Sequence, residues 1–543
     1  MEILSSDRLN FWREEGQLII QQNFKEFHSL VTQAQDYVER GEYTMGAVYA
    51  EIAAAYACGK HPGLFTSWEL EQLLIKIGQQ AIPANTNRIS RFSPPKKILH
   101  VSTYVAPIGG HSRMIWRWIN QDKERSHSIV LTRQVHKLPK LLSDAVRNSQ
   151  GKIHYLNKNI NSSSIISSAK ELRKIAEKAD LVVLHIYSQD VIPMIAFTNQ
   201  QESPPIIYIN LGDHLFWLGM GISNVIANLS EASMRLSQER RGVEEKRNLL
   251  LPIILEPSQR LLSRSEAKQQ IGIPQDCVLI VSIARSVKYR TIDGIIFADT
   301  HIPLLKKYKQ AILLIVGADN TEDWSSAIQQ TDGRIRVVKA TENTAIFYQA
   351  ADIYIDSFPI SSNTSLLEAG SYGIPLVTRF PYSSVCDILG GDAPGLKGNL
   401  IRVQDIDMYT SVLSSLVEDE DYRLSLGEAT KNKIAATHWG NNCQNFLNNI
   451  YCAAANTPRP TMNSDLTDEM FTGEPDVFLP KIYGTDHAID KLIAPYIKFM
   501  PFPEKFRYWL TILQKHNSDN SPLTLLIPEW IKYYYYSLRS PLE

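Results

Sequence analysis

The stretch Ser357–Thr378, SFPISSNTSLLEAGSYGIPLVT, runs from a turn of small polar residues, through one acid inside an apolar run, to Gly, Pro and a β-branched segment. That order predicts strand, loop, helix and strand. DIYIDSFP, ending at Pro359, is a strand that delivers Asp356 and Ser357 to a loop. Ser361, Ser362, Asn363, Thr364 and Ser365 supply that loop and a first helical turn, where free backbone N–H groups attract phosphate. Glu368 stands three residues after Ser365, the spacing of a capping box. It either caps its own helix or accepts hydrogen bonds from ribose hydroxyls. Gly370 and Gly373 allow close approach or an unusual turn, and Pro375 opens the next strand. From spacing alone, ligand binding and local capping both remain open.

Outward from this stretch, apolar runs of strand length alternate with helical patterns. DCVLIVSIARS, QAILLIVGADN, GRIRVVKA and IPLVT read as strands with helices between them. Before them, KILHVSTYVAP, SHSIVLTRQ, GKIHYLN, LVVLHIY and PPIIYINLGD repeat the pattern. Such alternation is the signature of parallel sheets covered on both faces. The expected fold class is α/β, with two Rossmann-like domains at about 96–240 and 245–455 facing a cleft. Residues 1–90 read as helices of tetratricopeptide-like spacing, punctuated by Gly41 and Gly59, with Thr66 or Ser67 as a cap. Residues 81–97 are a linker by their Pro, Asn and Ser content. Residues 456–543 form a C-terminal extension whose Tyr533–Tyr536 run reads as a packed terminal helix or an aromatic anchor.

A chain of 543 residues is too long for one core, and 44% hydrophobic with 21% charged residues is ordinary for a globular protein. A formal charge of -1 gives no general argument for nucleic acid. Five cysteines without a CxxC pair suggest neither a disulfide framework nor a zinc knuckle. With no signal peptide and no 18-residue apolar run, a cytoplasmic location is expected, with peripheral membrane contact left open.

The opening stretch resembles the nucleotide-sugar site of GT-B glycosyltransferases. Glu368, Gly373, Pro375, Val377 and Thr378 fall as in the (S/G)xxTxLExxxxGxPxVT signature of the O-GlcNAc transferase group and its relatives, which include bacterial family 4-like enzymes. The resemblance implies a GT-B fold, a nucleotide-diphosphate sugar as donor, with a UDP-sugar favoured, and a glycan, small-molecule or protein acceptor. Many retaining members carry two glutamates seven residues apart; here only Glu368 is kept, which leans toward inversion.

Other loops supply candidates. After the first strand, Gly109, Gly110, His111 and Arg113 form a glycine-containing loop that is not GxGxxG; in GT-B enzymes it lies under the donor diphosphate or the acceptor. After the fifth, Asp213 and His214 are adjacent, so that in an extended segment only one faces the cleft; either could be the base. Arg285, Lys288 and Arg290 are the basic residues for the leaving diphosphate, and Gly317 is where a base would pack. No metal is implied, because cations can stabilise the leaving group. A UDP-sugar epimerase or hydrolase, or a non-catalytic scaffold on a degenerate transferase body, are the alternative readings.

Overall fold

The computed structural model describes residues 6–84, 94–134, 137–156, 164–199, 203–318, 324–439, 441–461, 467–483 and 492–515. The Tyr533–Tyr536 run and most of the 81–97 linker lie outside them.

Two parallel sheets form the body. The first contains β1 (Lys97–Ser102), β2 (Ser126–Leu131), β3 (Ile153–Tyr155), β4 (Leu181–His185), β5 (Ile206–Asn210), β6 (Val225–Asn228) and β7 (Asn248–Leu250), in the order 3-2-1-4-5-6-7. The second contains β8 (Val278–Ile283), β9 (Ala311–Val316), β10 (Ile335–Val338), β11 (Ile353–Ile355), β12 (Leu376–Arg379) and β13 (Leu400–Val403), in the order 10-9-8-11-12-13. Each central strand is buried along nearly its whole length, as a sheet covered on both faces requires. This is the GT-B architecture. In each sheet the order reverses once, beside β1 and beside β8, and ligands of such sheets sit at that switch point.

The lobes are interleaved in sequence. Strand β7 lies beyond the boundary expected near 240. The helix Asn441–Asn456, within the span expected for the second lobe, packs on the first. There the Tyr451 hydroxyl accepts from Trp118 Nε1 at 2.6 Å and donates to Asp122 Oδ2 at 2.7 Å.

The N-terminal helices α1 (Ser6–Glu39), α2 (Tyr43–Gly59) and α3 (Trp68–Ala81) are built into the first lobe. Helix α1 buries Phe27, Leu30, Val31, Ala34 and Val38 on one stripe. Helix α2 is alanine-rich and buried on most sides, and the Phe27 ring meets Phe216 with centroids 5.7 Å apart. Ser67 caps α3, accepting from Leu70 N. Glu71, on the first turn of α3, does not face solvent: its carboxylate accepts from the backbone N–H groups of Gly219, Met220 and Gly221, at 2.7, 2.9 and 2.5 Å. Burial raises its pKa, and the three N–H bonds oppose that rise.

The C-terminal extension is a strap. Asp468 takes the N–H of Trp68, and Glu474 pairs with Arg13 at 2.6 Å. Buried Asp476 bridges His61 at 2.9 Å and Arg240 at 3.3 Å. Lys481 joins Glu15 at 2.8 Å and Asp293 at 2.9 Å. The segment 467–483 thus ties α1 and α3 to both lobes. Among the described residues no helix is long and apolar enough to cross a membrane.

Glu71→Ala would leave three buried N–H groups unpaired. The expected cost is about 3 kcal/mol or more, read as a lowered thermal midpoint, with Glu71→Gln losing less.

Candidate functional site

The loops at the carboxyl ends of both sheets enclose a cleft of about 400 Å³, within the usual size of ligand sites. On the second lobe, Ala284 and Arg285 leave β8 and a single 3₁₀ turn, Ser286–Tyr289, follows. That turn divides the three basic residues. Arg285 is exposed in the cleft, and its side chain makes no hydrogen bond or ion pair with the described residues. Lys288 also lines the cleft, its Nζ donating to the Ser361 carbonyl at 2.6 Å. Burial pushes its pKa down to about 8; Asp356 opposes the drop and the charge of Arg285 adds to it. Arg290 points away, donating to the carbonyl of Ile482 at 3.0 Å in the C-terminal strap. Of the basic residues expected at the diphosphate, Arg290 is therefore not brought into the cleft.

The serine loop is shaped by Asp356. Its Oδ1 accepts from the N–H groups of Ser357 and Ser362, both at 2.9 Å, and its Oδ2 accepts from Ser361 Oγ at 2.6 Å. A single buried carboxylate thus folds five residues into the turn that starts the helix Asn363–Ser371. Ser362 is the N-cap residue, but its side chain makes no capping bond. Ser362, Asn363, Thr364 and Ser365 all line the cleft. Ser365 lies inside the helix, so the capping box anticipated with Glu368 does not form.

Glu368 instead reaches the other lobe. Its carboxylate takes two bonds from Arg113 Nη1, each 2.9 Å, one from Arg117 Nη2 at 2.7 Å, and one from the Tyr348 hydroxyl at 3.3 Å. Burial alone would raise the Glu368 pKa, but the charges of Arg117 and Arg113 overcome it and hold the carboxylate below its ordinary value. Both arginines sit on α4 (Gly110–Gln121), four residues apart and so on one face. At the start of α4 a Cβ on Gly110 would stand 2.5 Å from Thr364 Oγ1, so only glycine lets the lobes meet there.

His111 opens onto the cleft, and its Nε2 donates to the Leu211 carbonyl at 3.0 Å. The surrounding walls desolvate the ring and, with Arg285 nearby, push its pKa down to about 4, so it is neutral at pH 7. Asp213 and His214 both line the cleft, contrary to the expectation for an extended pair, because Gly212–His214 is a turn. Asp213 Oδ1 accepts from the N–H of His214 and from its Nδ1, both at 2.9 Å. The imidazole stacks on Tyr483 of the strap, with centroids 4.7 Å apart and planes 11° from parallel. Gly317 has φ +91, and a Cβ there would lie 2.4 Å from the Ala284 carbonyl; it lines the cleft beside Ala340 and Thr341. Phe216 and Trp217, just after this turn, are core.

The cleft also holds residues that the sequence did not single out. Arg117, buried behind the wall on Glu368, bears on it too, and its i,i+4 spacing from Arg113 was the available signal. Tyr348 and Tyr483 line the cleft itself, and nothing local marks them. Tyr104 and Tyr187 stack on each other at the mouth of the first lobe. Among the described residues no group of three or more His, Cys, Asp or Glu could hold a metal ion.

Residues 263–433 match the family model of Glycosyl transferases group 1. The chain is 25% identical over 206 residues to a D-inositol 3-phosphate glycosyltransferase of Corynebacterium aurimucosum; the match covers 36% of this chain and 47% of that protein. It thus spans about half the length of that curated relative. Among solved structures it is similar to a glycosyltransferase from Rickettsia africae, with a TM-score of 0.53 and 13% identity over 67% of this chain and 99% of that one. It is also similar to Anabaena Alr3699/HepE in complex with UDP, with a TM-score of 0.52 and 13% identity over 66% and 100%.

Replacing Arg113 and Arg117 together by Ala would strand the Glu368 charge, at an expected cost of about 3–5 kcal/mol. Adding Glu368→Ala to that pair should recover much of the loss, a coupling measured by thermal unfolding of the variants.

Proposed function

We propose that this GT-B-fold chain, whose second lobe carries the group 1 glycosyl transferase match, transfers a sugar from a UDP-sugar to an acceptor hydroxyl. One observation carries the reading. The switch-point loops of both sheets converge on one cleft, with Arg285, Lys288 and a helix start free of side-chain capping on one wall and the Asp213–His214 turn on the other.

In this reading the nucleotide lies on the second lobe. Gly317, whose positive φ turns the chain at the end of β9 close against the Ala284 carbonyl, receives the base beside Ala340 and Thr341. Glu368 takes a ribose hydroxyl at Oε2, in place of the long bond from Tyr348, while both arginines stay on the carboxylate. Arg285, Lys288 and the first-turn N–H groups at Ser362–Ser365 hold the diphosphate, so its growing negative charge meets donors already in place. Gly109 and Gly110 let the first lobe approach that diphosphate closely.

The acceptor oxygen attacks C1 of the sugar as the bond from C1 to the phosphate oxygen breaks, and UDP leaves with the electron pair. The acceptor's proton goes to His214. Asp213 holds Nδ1–H of that ring, which leaves Nε2 as the nitrogen able to take the proton. This is the inverting course; a retaining course would use the same turn to position the acceptor. His111, neutral and tied to Leu211, serves as a polar contact and not as the base. A reducing, cytoplasmic setting suits five unpaired cysteines.

Calorimetric titration with a panel of nucleotide sugars tests the reading. One donor should bind, and Glu368→Ala or Arg285→Ala should weaken it at least tenfold. Folded protein that binds no donor and no UDP would overturn it. Lys288 adds a sign. Its unbound pKa of about 8 lies below that of a free lysine, and a bound diphosphate would raise it. UDP affinity should therefore fall as pH rises from 7 to 9, with net proton uptake on binding near pH 8. Lys288→Met should abolish both effects.

A further inference from the structure

The first lobe has a feature at its switch point that the donor reading does not use. Strands β1 and β4 are parallel neighbours, with Ser102 paired to His185. Two residues past each of these strand ends stand Tyr104 and Tyr187. Their rings stack with centroids 4.6 Å apart and planes 5° from parallel. Tyr187 is half-buried, whereas Tyr104 is 37% exposed and lines the cleft.

The pair is held rigidly from behind. Asp190, 1% exposed, accepts from Thr103 Oγ1 at 2.8 Å and from Thr132 Oγ1 at 2.5 Å. Thr103 Oγ1 in turn accepts from the N–H of Tyr187 at 2.9 Å, which locks the two loops together. The N–H of Val105 is held by Gln134 Oε1 at 2.7 Å and that of Ala106 by Ser112 Oγ at 2.9 Å. A large aromatic ring left facing a concave site, on loops held by this set of hydrogen bonds, is preorganised for a ligand rather than left over from packing.

We propose that Tyr104, backed by Tyr187, is the platform on which a saccharide acceptor seats, so that the acceptor is a sugar or glycan. This deepens the transferase reading and rests on it. A pyranose ring offers a face of C–H groups to an aromatic ring and a rim of hydroxyls to polar neighbours. The surroundings supply both: the tyrosine face, and the ring of His111, whose centroid lies 6.2 Å from that of Tyr187. A lipid chain would need a continuous apolar lane, and the wall beyond the platform is polar at His111, Asp213 and His214. The base of the donor has its own place at Gly317 on the opposite lobe.

The test is saturation-transfer NMR on the full chain loaded with UDP. The probes are methyl glycosides of glucose, galactose, mannose and N-acetylglucosamine, with n-octyl β-glucoside as the lipid-like arm. At least one pyranoside should receive saturation on its ring C–H protons. Tyr104→Ala should weaken that binding about tenfold while UDP affinity stays within twofold, and Tyr104→Phe should restore it. No pyranoside bound by UDP-loaded protein would overturn the proposal. So would undiminished binding by Tyr104→Ala, or saturation confined to the octyl chain. Failure to bind UDP at all would sink the donor reading itself, a separate result seen in the first titration.

Discussion

The carboxylate of Glu368, gripped by Arg113 and Arg117, is the interaction on which the cleft depends. It joins a helix of one sheet to a helix of the other, in a place mostly removed from water. Two guanidiniums on one carboxylate satisfy it fully but leave an excess positive charge beside the site, next to Arg285 and Lys288. Taking these charges out of water costs several kcal/mol per ion, so the triad is better understood as fixing lobe geometry than as a source of stability. The cleft remains open only around it, which is why the serine loop, the Asp213–His214 turn and the tyrosine pair all face one shared space.

The parts outside the two sheets serve the same geometry. Glu71 sews α3 to the loop after β5 through three backbone N–H groups. The strap carries Asp476 between His61 and Arg240, and Tyr483 onto His214. A residue far along the chain therefore supports the imidazole assigned to proton transfer. The N-terminal helices share a core with the first lobe, and Trp12 and Ile20 of α1 lie in that of the second, so they belong to the body and are not a separate module.

The α/β class, the two lobes and most strands were legible in the sequence, because long buried strands are uninterrupted apolar runs. Three strands were not: Val225–Asn228, Asn248–Leu250 and Leu400–Val403 are short and lie at or beside the outer edge of their sheets. The loops of the site were legible where chain order forces small polar residues after a strand, as at Ser361–Ser365. Their partners were not. Whether Glu368 caps its helix or crosses to another lobe, and whether Arg290 faces in or out, depends on a single turn of backbone. Tyr104 and Tyr187 are 83 residues apart in number, and only the strand order brings them together.

The return of the helix Asn441–Asn456 to the first lobe bears on how the chain is made. The first sheet is complete once β7 has been synthesised, but Leu447, Ile450 and Tyr451, which cover one of its faces, emerge about 200 residues later. At roughly 5–20 residues per second that delay is about 10–40 s. Throughout it, an apolar face bearing Ile207, Ile209 and Val225 lacks its last cover. A nascent chain of this topology presents a finished sheet with one unfinished side, a natural station for a chaperone, and a stop codon just before residue 441 would make that state permanent.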